Sequence, residues 1–170
     1  MTETKTEELV GSLQLLTFCL GDEEYGVEVA HVQEVLELIR ITKVPRSLDY
    51  MKGIINLRGR VVPVIDLRSK LDLEESEHTI STAIVVMEIP IANEISVVGA
   101  IADSVQEVVN ISTGDIDPAP QIGTSVDRRF IRGIGKSDEK FTIILDIAQL
   151  FDSEELQIMQ ASNTISENND

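Results

Sequence analysis

The stretch YMKGIINLRGRVVPVIDLRSKL, Tyr50 to Leu71, decides how the rest of the chain is read. Ile54, Ile55 and Leu57 make one apolar arm, Arg58-Gly59-Arg60 a turn, and Val61 to Ile65 a second arm. β-Branched residues favour pleated backbone and glycine permits positive φ, so the pattern predicts a β-hairpin. Pro63 has no N–H to give to a ladder, which places its strand at a sheet edge or beside a bulge. Asp66 stands where the N-cap of a short helix belongs, its carboxylate able to accept from the free N–H groups that follow.

The stretch recurs at Phe130 to Phe151, FIRGIGKSDEKFTIILDIAQLF. Gly53-Ile54 matches Gly133-Ile134 and Ile65-Asp66 matches Leu145-Asp146, an offset of 80 residues in both cases, from 53 to 133 and from 66 to 146. Tyr50, Met51 and Lys52 face Phe130, Ile131 and Arg132, repeating aromatic, apolar and basic character. Gln149 at N3 after Asp146 suggests a capping box. Upstream, Gly26 and Val32-Gln33-Glu34-Val35 match Gly99 and Val105-Gln106-Glu107-Val108 at an offset of 73, from 26 to 99, which Pro45 and Pro118 keep. The second copy therefore gains seven residues, the difference between the two offsets, placed by this reading between Pro118 and Phe130. The expectation is an internal duplication giving a mainly β fold of two similar lobes, each too small to bury a core alone. The copies run over about 25–71 and 98–151, inside one domain of residues 11–160, with a flexible tail at 1–10 and a disordered one at 161–170.

The 170 residues are 42% hydrophobic and 26% charged, as in an ordinary globular protein. Thirty acidic against fourteen basic residues leave a formal charge of −16 with no basic cluster, which excludes a nucleic-acid partner. The lone Cys19 rules out an intramolecular disulfide and reads as a small core residue. The polar start, MTETKTEELV, is not a signal peptide, and no apolar run reaches the roughly 20 residues of a membrane span. A cytoplasmic protein without membrane insertion is expected.

In chain order, Leu13 to Leu20 predicts a strand with Leu16, Phe18 and Leu20 on one face, answered across a turn by Tyr25 to Val29. From Ala30 a short surface helix is expected, with Val32, Val35 and Leu36 as its apolar stripe. Leu38 to Val44 reads as strand. Ile80 to Ile89 and Glu94 to Ala102 form a second hairpin, the shared floor of both lobes. The polar run to Arg129 reads as a binding or mobile loop, and Asp152 to Gln160 as a final helix.

No catalytic set emerges. His31 and His78 stand apart on polar segments, and an exposed lone histidine is more often solvated than catalytic. The Gly133-Ile-Gly-Lys-Ser run lacks the Walker glycine, since Phe130 occupies that place. Asp66 and Asp146 are explained as caps, and nothing has the Cys/His spacing of a zinc site. A protein of this kind, with no cofactor or metal, works by offering surface to partners. A small β-barrel enzyme is the alternative, and it would need an acid and base close together in a pocket.

The segments GDEEYGVEVAHVQEVLE, KGIINLRGRVVPVIDLR and PAPQIG, over about residues 11 to 160, resemble the CheW-like domain family of bacterial chemotaxis. The resemblance implies two intertwined five-stranded SH3-like β-barrel lobes with short helices and a C-terminal helix. It also implies a non-catalytic adaptor of two-component signalling, coupling the cytoplasmic tip of methyl-accepting chemoreceptors to the regulatory domain of the histidine kinase CheA. Such an adaptor associates with membrane receptor arrays, where self-association is open to it. An adaptor of the same kind in a non-chemotaxis receptor-kinase pathway is the other reading. By likeness, the receptor-binding positions are Val32, Glu34, Gly53, Arg58, Gly59 and Ile84, around the groove between the lobes. Val32 and Ile84 would bury against a receptor helix, the glycines permit close approach, and Arg58 and Glu34 pair or set register. The kinase-binding positions fall on the loop bearing Asp117 and Ile122. Neither residue type follows the family's habit there, which is basic and aromatic.

Overall fold

The computed structural model describes residues 11–45, 49–74, 76–91, 93–120, 127–137 and 139–151. Among these residues eleven strands run in order: β1 (Ser12–Leu20), β2 (Glu23–Glu28), β3 (Val32–Glu37), β4 (Met51–Leu57), β5 (Arg60–Asp66), β6 (Ala83–Ile91), β7 (Glu94–Ala102), β8 (Ser104–Ser112), β9 (Ile116–Asp117), β10 (Ile131–Ser137) and β11 (Lys140–Leu145). Two four-residue helices, α1 (Leu67–Lys70) and α2 (Ile147–Leu150), follow β5 and β11.

The strands form two sheets, β8-β1-β2-β11-β10-β9 and β3-β6-β7-β5-β4. The duplication shows in the pairing. In the second sheet β5 runs parallel to β7 with Val64 opposite Gly99, and in the first β11 runs parallel to β2 with Ile144 opposite Gly26, the same positions in the other copy. Each sheet thus takes its leading hairpin from one copy and its trailing hairpin from the other. The halves are interleaved, and neither copy owns a sheet.

Three apolar clusters follow from this. Ile55, Val62, Val64, Ile84, Val86 and Ile101 fill the second sheet, with Leu36 and Ile41 against them. Leu15, Ile111 and Ile144 fill the first. The largest cluster lies between the sheets and draws on both, with Phe18 and Tyr25 on one side and Met87, Val98 and Ala100 on the other. Phe130, Leu150 and Phe151 belong to it as well. The β6–β7 hairpin serves this central core with one face and the second sheet's interior with the other, which is the shared floor expected of it.

The hairpin at 51–66 forms as read, with Asp66 as N-cap accepting from the Arg68 N–H at 3.0 Å. Asp146 caps α2 through the Gln149 N–H. The capping box is not completed, because the Asp146 N–H donates to the Phe130 carbonyl at 2.8 Å. Its counterpart Asp66 donates to Tyr50 in the same way, at 2.8 Å. Pro63 is not on an edge strand, since β5 lies between β4 and β7. Ile54 turns its own N–H and C=O toward Thr42, so its partner Pro63 forms a non-hydrogen-bonded pair and its nitrogen faces the β7 side. The parallel ladder to β7 starts only at Val64, so no bond is lost.

Several expectations are corrected. The stretch from Ala30 is not a helix: a 3-10 turn at Val29–His31 leads into strand β3. Val32, Val35 and Leu36 fit helical spacing, but the observed burial alternates with period two, Val32, Glu34 and Leu36 inward and Gln33, Val35 and Glu37 outward. β6 supplies the hydrogen-bonding neighbour that decides between the two. Leu38 to Val44 is not a strand; it pairs with β4 through the isolated Thr42–Ile54 bridge and packs Leu38 and Ile41 on the second sheet's cluster. Cys19 is half-buried rather than core, and β6 begins at Ala83. The run to Arg129 is broken by a 3-10 turn at Thr113–Asp115, by β9 and by a 3-10 turn at Arg128–Phe130. Both tails and the helix expected at Asp152 to Gln160 lie outside the described residues.

Candidate functional site

The tip of the β4–β5 hairpin is a two-residue turn. Arg58 and Gly59 have φ of 51° and 85°, both positive, as a type I′ turn requires. The Gly59 N–H donates to the Asn56 side-chain oxygen at 2.8 Å, which fixes the turn from inside. An arginine in the left-handed region is sterically costly, and residues held this way concentrate at functional sites.

Arg58 reaches across to β3. Its two terminal nitrogens donate to the two carboxylate oxygens of Glu34 at 2.6 and 3.0 Å, a bidentate fork. The Arg58 side chain is 71% exposed and that of Glu34 20%. The hydrogen bonds from Arg58 hold the Glu34 carboxyl below the usual carboxylate range, with desolvation opposing them. The pairing anticipated between these residues is therefore made, and it presents a preset charged tip rather than a free cation. Beside it on β3, Val32 is half-buried on the central core. Val35 at 42% and Ile39 at 40% exposure offer apolar surface. The helical reading turned Val35 inward; a period of two would have turned it out.

The remaining positions behave differently. Ile84 is wholly buried in the second sheet's interior, opposite Leu36. Gly53 is also buried, with φ of +148°, and a Cβ there would lie 2.1 Å from the Thr42 carbonyl oxygen. Its close approach is to its own chain. Gly59 by contrast has open space around it. Of these residues Val32 packs on the core between the sheets, while Glu34, Arg58 and Gly59 stand at the hairpin tip. A cleft of about 170 Å³ is lined by Glu28, His31, Arg132 and Asp146 among others. In it Glu28 pairs with Arg132 and lies 3.6 Å from His31. His31 is thus half-buried at the end of a 3-10 turn rather than on a helix face.

Asp117 lies on β9 in the other lobe, with Lys136 3.0 Å away and its side chain 57% exposed. Ile122 lies outside the described residues. Among the described residues no group of three or more His, Cys, Asp or Glu is placed to hold a metal ion, and no helix is long and apolar enough to cross a membrane.

The chain has well-characterised likenesses. The family model described as CheW-like domain matches residues 14–155. The chain is 34% identical over 152 residues to the chemotaxis protein CheW of Klebsiella aerogenes, covering 89% of each. To the chemotaxis protein CheW of Bacillus subtilis it is 33% identical over 153 residues, covering 89% of this chain and 95% of the relative. The crystal structure of the scaffolding protein TtCheW from Thermoanaerobacter tengcongensis superposes with a TM-score of 0.74 at 34% identity, over 84% of this chain and 90% of the other. A match that runs from β1 past α2, in a fold shared with a solved member, makes this chain a member of the CheW-like domain family.

Proposed function

We propose that the chain is a non-catalytic adaptor that couples chemoreceptor signalling tips to the histidine kinase CheA. Val32, Glu34, Arg58 and Gly59 form the receptor-facing surface, with Val35 and Ile39 adding apolar contact. Gly53 and Ile84 serve that surface from beneath. The observation that carries this reading is the Arg58–Glu34 fork on an exposed turn held in left-handed backbone. It sets a rigid charged tip against a strand with outward valine, the mixture that docks an amphipathic helix with both register and affinity. The kinase contact belongs to the other lobe, at Asp117 and the following segment with Ile122. Two interleaved lobes facing two partners suit a bridge, because the shared central core fixes their spacing. Residues 11–160 act as one domain, in the cytoplasm at membrane receptor arrays, where copies of the chain also meet one another.

The test is co-sedimentation of a receptor cytoplasmic fragment with the wild type and with Arg58→Glu. Arg58→Glu places two carboxylates together at the tip and is expected to abolish binding while circular dichroism stays unchanged. Wild-type binding by the folded variant would refute the surface assignment.

A further inference from the structure

We infer that Gly53 is a positioning residue, which seats the Leu38–Val44 segment against β4 and thereby holds Glu34 in reach of Arg58. A Cβ at Gly53 would meet the Thr42 carbonyl oxygen at 2.1 Å, the Thr42 carbonyl carbon at 2.7 Å and the Ile41 Cγ2 at 2.9 Å. Two of these three are backbone atoms, which cannot swing aside as the end of a side chain can. The segment they belong to is tied to β4 by a reciprocal pair of hydrogen bonds, Thr42 N–H to Ile54 C=O and Ile54 N–H to Thr42 C=O, both 2.8 Å. Among the described residues that isolated bridge is the segment's β-pairing to β4. Leu38 and Ile41 of the segment and Leu36 of β3 all pack on one cluster, so a displaced segment pulls on the strand that carries Glu34.

The other copy has the same device in a milder form. A Cβ at Gly133 would meet the Ile116 Cγ2 at 2.5 Å and the Asp117 carbonyl oxygen at 3.0 Å, and Gly133 has no positive φ. A methyl group there must shift the Ile116 side chain but meets its nearest backbone atom no closer than 3.0 Å. At Gly53 two backbone atoms lie closer than that, and the backbone conformation also disfavours any L-residue.

The consequence for partners rests on the receptor-facing reading, but the geometry belongs to the free chain and is tested there. NMR on the full chain follows amide exchange at Ile54 and the titration of the Glu34 carboxyl in the wild type, Gly53→Ala, Thr42→Pro and Gly133→Ala. Thr42→Pro removes one donor of the bridge without touching position 53. The expected result is about tenfold or faster exchange at Ile54 in Gly53→Ala and Thr42→Pro. Glu34 should return in both to the ordinary carboxylate range, and Gly133→Ala should match the wild type. A folded Gly53→Ala or Thr42→Pro chain that keeps the wild-type Glu34 titration overturns the inference. So does unfolding of both, which would make position 53 a residue of folding alone. If these results come out as expected and Arg58→Glu still binds receptor, the receptor-facing reading fails and the positioning role stands.

Discussion

The hairpins β4–β5 and β10–β11 share a frame and differ at the tip. Both carry a register shift at the glycine, between Met51 and Gly53 in one and between Ile131 and Gly133 in the other. Both end on an aspartate whose N–H bonds the carbonyl of an aromatic residue and whose side chain caps a four-residue helix. At the tip the first hairpin spends two left-handed residues, one of them arginine, to aim a guanidinium at Glu34. Glu107, the counterpart of Glu34, instead bonds Thr17 through its backbone N–H and C=O, at 3.1 and 2.8 Å, with its own side chain exposed. The two copies thus keep the frame of the hairpin and differ in the side chains that reach out from it. Arg68 tells the same story. It binds Asp103 across the copies and also donates to the Glu74 carbonyl, while its counterpart is Ala148.

The largest losses are expected in the lobe interiors. Leu15 and Ile84 occupy equivalent places, opposite Val109 and Leu36, and both are fully buried. Each truncation to alanine should cost about 2–5 kcal/mol, seen as a lower urea midpoint in a single shared transition. Two separate transitions would mean that the interleaved halves fold independently. The caps come next. Asp66→Ala and Asp146→Ala should each cost roughly 1 kcal/mol. The loss should be larger at Asp66, which is buried and has Lys52 3.8 Å away. Equal losses would assign the whole effect to the cap.

A smaller effect sharpens the asymmetry. Hydrogen bonds from Arg68 hold the Asp103 carboxyl below the usual carboxylate range, with burial opposing and the Gly21 N–H assisting. A depressed folded pKa stabilises above the unfolded value and is lost as pH falls through the folded one. Asp103→Asn should therefore lower the urea midpoint at pH 7 and flatten its decline into acid. An unchanged acid slope would deny the clasp any role. Last, Arg58→Glu should lower the urea midpoint least of these, since the side chain is exposed and its pair is of the surface kind.

Much of this was legible in the residues. Ordered glycine, proline and aspartate matches at fixed offsets announced the duplication, and the caps and hairpins followed from local chemistry. The interleaving was not legible that way, because an offset says which positions are equivalent and not which strands pair. VQEVLE misled for a physical reason: Val32, Val35 and Leu36 satisfy a helical stripe, and only pairing with β6 selects the strand. The seven added residues divide differently as well. Thr42 and Asp117 take equivalent places, bonded or paired to Ile54 and Ile134, so two of the seven precede Pro118. Of the site, the Arg58–Glu34 pair was within reach of sequence reasoning. The burial of Ile84 agrees with the Ile80 to Ile89 run read as the floor, whereas the inward-facing role of Gly53 was out of reach, because it depends on the segment after β3 folding back over β4.

Coupling itself is measured by kinase autophosphorylation in a reconstituted mixture of receptor fragment, CheA and this chain. With the wild type, receptor-dependent control of the kinase should be present. With folded Arg58→Glu it should fall to the level seen when the chain is left out. Full receptor control by that variant would contradict the reading of the β4–β5 tip as the receptor-facing surface.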